Sequence, residues 1–116
     1  MTNIATPIDW DALLHVTQNK KSLANEILNM FKNELPTMKA DIQSAYHAKN
    51  YENLADLIHK LHGSCCYCGA VDLKSLTARI ESDLNENNLD TIDQDLINLN
   101  AQMDGIIHYL NHYNDT

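Results

Sequence analysis

Leu57-Ile58-His59-Lys60-Leu61-His62-Gly63-Ser64-Cys65-Cys66-Tyr67-Cys68-Gly69-Ala70 is the stretch that decides how this chain is read. Its apolar positions recur in steps of three and four, the spacing of one face of an α-helix. Together with Leu54, the residues Leu57, Ile58, Leu61, Cys65 and Cys68 fall in a single arc, which is the face a helix buries. His59 lies almost opposite that arc and points to solvent.

Small residues border His59. Ala55 stands one turn before it, Gly63 one turn after, and Cys66 two turns on. Helical side chains lean toward the N-terminus, so the residue at i+4 covers the residue at i. Gly63 occupies that covering place and has nothing to cover with. A glycine inside a helix costs about 1 kcal/mol relative to alanine. Position 63 faces water, so core packing does not account for it. Access of a second macromolecule to the imidazole does.

The flanking sequence is helical on both sides. Met1 to Pro7 reads as a loose tail, and Asp9 as the N-cap of a short helix from Trp10 to about Thr17. Leu23, Ile27, Met30, Phe31, Leu35, Met38, Ile42, Ala45 and Tyr46 form one long amphipathic stripe. Pro36 lies inside that stripe without breaking its phase, so the spacing predicts one bent, continuous helix. Asn50 ends that helix or caps the next one, which runs from about Tyr51 to Tyr67 and stops at Gly69. A fourth long segment spans Val71 to Glu86 with Leu73, Leu76, Ile80 and Leu84 inward. A polar turn follows, and a last helix starts at Thr91, with Ile92, Leu96, Leu99, Met103, Ile106, Leu110 and Tyr113 on one stripe. Asn114 to Thr116 should fray. Four long helices with short connections predict an all-α fold, an antiparallel four-helix bundle with a short additional N-terminal helix. The 116 residues form one domain.

Charge and composition remove several classes of function. A net charge of −8 offers no basic patch to nucleic acid or to an anionic membrane. No apolar run approaches the ~20 residues that span a bilayer, and no secretory leader opens the chain. The three cysteines lie within four residues, which is not a disulfide framework. Reduced thiols and a cytoplasmic setting follow.

His59-Lys60-Leu61-His62-Gly63-Ser64, with Gly69-Ala70 ten residues beyond the histidine, resembles the signature of histidine-containing phosphotransfer (HPt) domains. The pattern there is His-x-Leu-Lys-Gly-Ser/Ala. Ile8-Asp9-Trp10 and Glu34-Leu35-Pro36 are similar to the same places in the C-terminal HPt domains of tripartite hybrid sensor kinases. The resemblance implies a phosphorelay intermediate of two-component signal transduction. His59 would take a phosphoryl group through Nε2 from an aspartate of one receiver domain and pass it to the aspartate of a response regulator. The receivers would supply Mg²⁺, and this chain would bind no cofactor of its own and act as a monomer. His62 stands where the family most often has lysine, a residue that holds the phosphoryl oxygens. Glu81 stands where some relatives place a glutamine that positions the nucleophile.

The chemistry of the residues fits that role. A neutral imidazole is a nucleophile at cytoplasmic pH. Lys60 and His62 flank it and could donate charge-assisted hydrogen bonds to phosphoryl oxygens. Glu52, Ala55, Asp56, Lys60, His62, Gly63 and Cys66 share its face and form the expected docking surface. No Gly-x-x-x-x-Gly-Lys loop or kinase motif set is present, so the chain should relay phosphate without drawing it from ATP. Two alternatives use the same residues. His59, His62 and Cys66 are of metal-ligand type, as is the Cys65-x-x-Cys68 pair. Zinc sites, however, draw ligands from separated pairs, and these lie on three turns of one helix, partly on opposite faces. The second alternative is a helical adaptor that binds a partner through this face without phosphate.

Overall fold

The computed structural model describes residues 7–112, which form five helices. They are α1 (Trp10–Val16), α2 (Lys21–His47), α3 (Tyr51–Cys68), α4 (Val71–Asn85) and α5 (Ile92–His112). The loose-tail readings for residues 1–6 and 114–116, and the inward place of Tyr113, lie outside the described residues. Pro7 is half-buried and leads into Ile8, which is fully buried.

Helices α2 to α5 close a ring in which each packs on the next and α5 packs back on α2. Short connections between consecutive helices make neighbours antiparallel. The buried residues explain the assembly. In α3 they are Leu54, Ile58, Leu61, Cys65 and Cys68; in α5 they include Ile92, Leu96, Leu99, Met103, Ile106 and Leu110. Their steps alternate four and three, a seven-residue repeat that keeps a seam facing its neighbours as the helices wind around one another.

The same repeat corrects the expected stripe of α2. Phe31, Leu35, Met38, Ile42 and Ala45 are buried as predicted, but the seam continues through Leu28 and Ala24. Met30 is exposed, as is Leu23, and Ile27 is half-buried. A straight 3.6-residue helix drifts ~20° per heptad from a 3.5-residue seam. Leu28 and Ala24, seven and eleven residues before Leu35, stay within that drift of the seam, whereas Ile27 and Leu23, eight and twelve residues before it, have rotated off it. The helix runs unbroken through Pro36, which is exposed.

Capping fixes the ends of the helix that carries His59. Asn50 Oδ1 accepts from the Asn53 amide at its start. Gly69 ends it in the left-handed conformation with φ 74°. A Cβ at Gly69 would stand 2.6 Å from the Asp9 carbonyl oxygen, so only glycine fits this close approach. The Asp9 amide donates to the Gly69 carbonyl at 2.7 Å, and Asp9 Oδ1 caps α1. Helix α1 therefore sits against α2 and α3, tied to the C-terminal end of α3. Trp10 Nε1 donates to the Tyr109 hydroxyl at 2.9 Å and links α1 to α5.

Candidate functional site

Helix α3 presents His59 near its middle, with Ile58 and Leu61 beside it fully buried. The core thus fixes the rotation of the helix and leaves the imidazole side chain 73% exposed. One ring nitrogen is engaged. Nδ1–H donates to Glu81 Oε2 at 2.5 Å, across the seam between α3 and α4. A carboxylate only accepts, so this contact places the proton on Nδ1 and the lone pair on Nε2. Among the described residues, no group hydrogen-bonds to Nε2. Glu81 itself is mostly covered, with 23% of its side chain exposed.

The neighbours expected on this face are where the helical wheel put them. Glu52, Asp56, Lys60 and Cys66 are exposed, and Ala55 and Gly63 are half-buried. A Cβ added at Gly63 would meet nothing within 4 Å, so the space beside His59 is open. Lys60 has no hydrogen bond or ion pair among the described residues.

His62 is turned away to α4. Its Nδ1 donates to the Lys74 carbonyl at 3.2 Å and lies 3.1 Å from Thr77 Oγ1. Thr77 is fully buried and its hydroxyl is within 2.9 Å of the Leu73 and Lys74 carbonyl oxygens. The other ring nitrogen, Nε2, faces the Cys66 thiol at 4.0 Å. The sequence reading missed the Thr77 anchor. Its signal was present, because Leu73, Thr77, Ile80 and Leu84 keep the same four-three-four steps as the other seams.

The three thiols divide by burial. Cys65 and Cys68 lie in the core and Cys66 outside it. Burial pushes the Cys65 thiol far above its ordinary range, and pushes Cys68 up to about 12. Cys68 Sγ also donates to the Ser64 carbonyl at 3.1 Å. Among the described residues, no three His, Cys, Asp or Glu side chains converge as metal ligands. No helix there is long and apolar enough to cross a membrane.

Comparison with known proteins points one way. The profile of the Hpt domain family matches residues 26–109. The signal transduction histidine-protein kinase BarA of Escherichia coli (strain K12) is 33% identical over 107 residues. That match covers 91% of this chain and 12% of the kinase. The sensor protein GacS of Pseudomonas syringae pv. syringae is 30% identical over 101 residues, covering 82% of this chain and 11% of that protein. The chain therefore spans about an eighth of the length of these relatives. Among solved structures, the HPT domain of the Hpt sensor hybrid histidine kinase from Shewanella superposes with a TM-score of 0.84. It is 28% identical, and the match covers 90% of this chain and 91% of that one.

Proposed function

The chain belongs to the Hpt domain family, and from that premise we propose that His59 is the phosphoacceptor of a two-component phosphorelay. The observation that carries this reading is the ring itself. It is exposed, with its inner nitrogen held by Glu81, its outer nitrogen unengaged and open space at Gly63.

Nε2 attacks the phosphoryl group of a receiver-domain aspartate, and the same nitrogen later yields it to the aspartate of a response regulator. Phosphoryl transfer depends mostly on positioning and charge stabilisation. The receiver brings the aspartate and Mg²⁺; this chain brings the nucleophile and a docking face of Glu52, Ala55, Asp56, Lys60, Gly63 and Cys66. Lys60 is the free cation beside the nucleophile. The chain relays the group and does not take it from ATP. The free thiols support a cytoplasmic setting, as the phosphotransfer segment of a larger sensor kinase or as a separate partner of one.

The test is incubation with a phosphorylated receiver domain. Acid-labile, base-stable label is expected on the wild type and none on His59→Gln, with the helical signal of both unchanged. Label that persists in His59→Gln would remove the proposal. Receiver binding that His59→Gln retains, with no label on the wild type, would favour the adaptor reading instead.

A further inference from the structure

We infer that Glu81 does more than orient His59: its carboxylate keeps the phosphorylated ring protonated at Nδ1, and so holds the phosphoryl group in its transferable form. This rests on His59 being the phosphoacceptor. The steps balance as follows. The neutral ring carries its proton on Nδ1, against Glu81 Oε2 at 2.5 Å, and its lone pair on Nε2. Nε2 bonds to phosphorus, and the phosphorus–oxygen bond to the donor aspartate breaks with its electron pair left on the carboxylate. No proton moves. The product is an imidazolium with Nε2 bonded to phosphorus and Nδ1 still bonded to hydrogen, now a cation facing an anion.

What happens to that proton sets the fate of the phosphoryl group. While Nδ1 keeps it, breaking the nitrogen–phosphorus bond returns the electron pair to Nε2 and releases a neutral imidazole, a good leaving group. Once Nδ1 loses it, the leaving group is an imidazolate anion and the bond is inert. An anion at hydrogen-bond distance favours the protonated ring. An amide in the same place accepts the same hydrogen bond without the charge. On α3 itself Lys60 opposes protonation, while Glu52 and Asp56, on the preceding turns, favour it weakly through solvent. His62 is tied to α4 through Lys74. From α4 only Glu81 engages the ring, and α1, α2 and α5 give it no hydrogen bond or ion pair among the described residues. Glu81 is therefore a positioning residue with an electrostatic task, and glutamine should not replace it fully.

Phosphoramidate, which phosphorylates imidazoles without a receiver, separates the two claims. Wild type, Glu81→Gln, Glu81→Ala and, as the unreactive control, His59→Gln are treated with it, freed of reagent, and followed by phosphorus NMR from pH 5.5 to 9. The expected result is that Glu81→Gln labels at a rate near wild type but loses phosphate about twofold to fivefold more slowly at pH 8, a range set by one solvent-screened ion pair. The two should converge at the acid end, and nitrogen NMR should show Nδ1 of the phosphorylated ring deprotonating at lower pH in Glu81→Gln. Glu81→Ala should also label more slowly, having lost the hydrogen bond that selects the reactive nitrogen. Identical pH profiles for wild type and Glu81→Gln would overturn the inference, as would failure of wild-type His59 to react. A wild type that reacts with phosphoramidate but takes no label from any receiver would instead remove the relay reading.

Discussion

The Nδ1–H of His62 donates to the Lys74 carbonyl at 3.2 Å, one turn along α3 from the nucleophile. A carbonyl never donates, so the neutral ring carries no proton on Nε2. With Nδ1 so engaged, His62 can donate to a phosphoryl group only as an imidazolium that carries a proton on Nε2 as well. Lysine at this place keeps its charge throughout. His62→Lys should transfer phosphate about tenfold faster than wild type at pH 8 and above, as one charge-assisted hydrogen bond of about 1.5 kcal/mol implies. Receiver-to-His59 transfer rates of the two proteins at pH 8 decide it, and equal rates would exclude a charge at position 62 from the chemistry.

Gly63 separates stability from function. A Cβ there meets no neighbour, so Gly63→Ala should raise the unfolding free energy measured in urea by the helix-propensity difference of about 0.8–1 kcal/mol. Gly63→Leu should fold equally well but lean over His59. Its transfer rate should fall by at least about tenfold, because misplacing a reacting partner by a small distance is that costly. Unchanged transfer in Gly63→Leu would show that receivers do not approach over this turn.

Gly69 has the opposite profile. Its left-handed backbone and the Asp9 oxygen 2.6 Å from any added Cβ both exclude a side chain. Gly69→Ala should cost about 1–3 kcal/mol in chemical denaturation. His59 itself should stay reactive toward phosphoramidate, because the loss falls on the junction of α1 with α3.

The buried thiols make stability fall at alkaline pH. Cys65 and Cys68 hold their protons in the folded chain well above the ordinary thiol value of 9.0, whereas the unfolded chain releases them near it. Above that point the unfolded state binds fewer protons, so raising the pH favours unfolding by about 1.4 kcal/mol per unit for each thiol. This contribution is fully present below pH 9 and is lost as the pH climbs toward 12. Urea midpoints from pH 8 to 10.5 should fall steeply in wild type and less so in Cys65→Ala. At neutral pH a maleimide should label Cys66 alone until urea opens the core.

Periodicity was enough to find the four long helices among the described residues, because each buries a seam of apolar residues at fixed steps, and Asn50 and Gly69 bound α3 with recognisable caps. It placed His59 outward for the same reason. It failed in the first half of α2, where the larger apolar side chains of Leu23, Ile27 and Met30 drew the stripe away from the better-phased Ala24 and Leu28. It was silent on groups that meet across helices. Asp95 is 3% exposed and pairs with Arg79 at 2.5 Å and Thr91 at 3.1 Å, yet it reads as one more surface acid among sixteen. Glu81 lies 22 residues from His59, and their meeting depends on how α3 and α4 register, which no single helix encodes. The resemblance to a family named the position, and the fold supplied its contact.

The anchoring of α3 at both ends carries a kinetic consequence. An imidazole fixed on a rod with no hinge cannot swing between a donor and an acceptor, and one ring admits one protein at a time. The two half-reactions must then alternate, with the first receiver gone before the second arrives. Steady-state relay should accordingly give ping-pong kinetics, with parallel double-reciprocal lines and each receiver inhibiting competitively against the other.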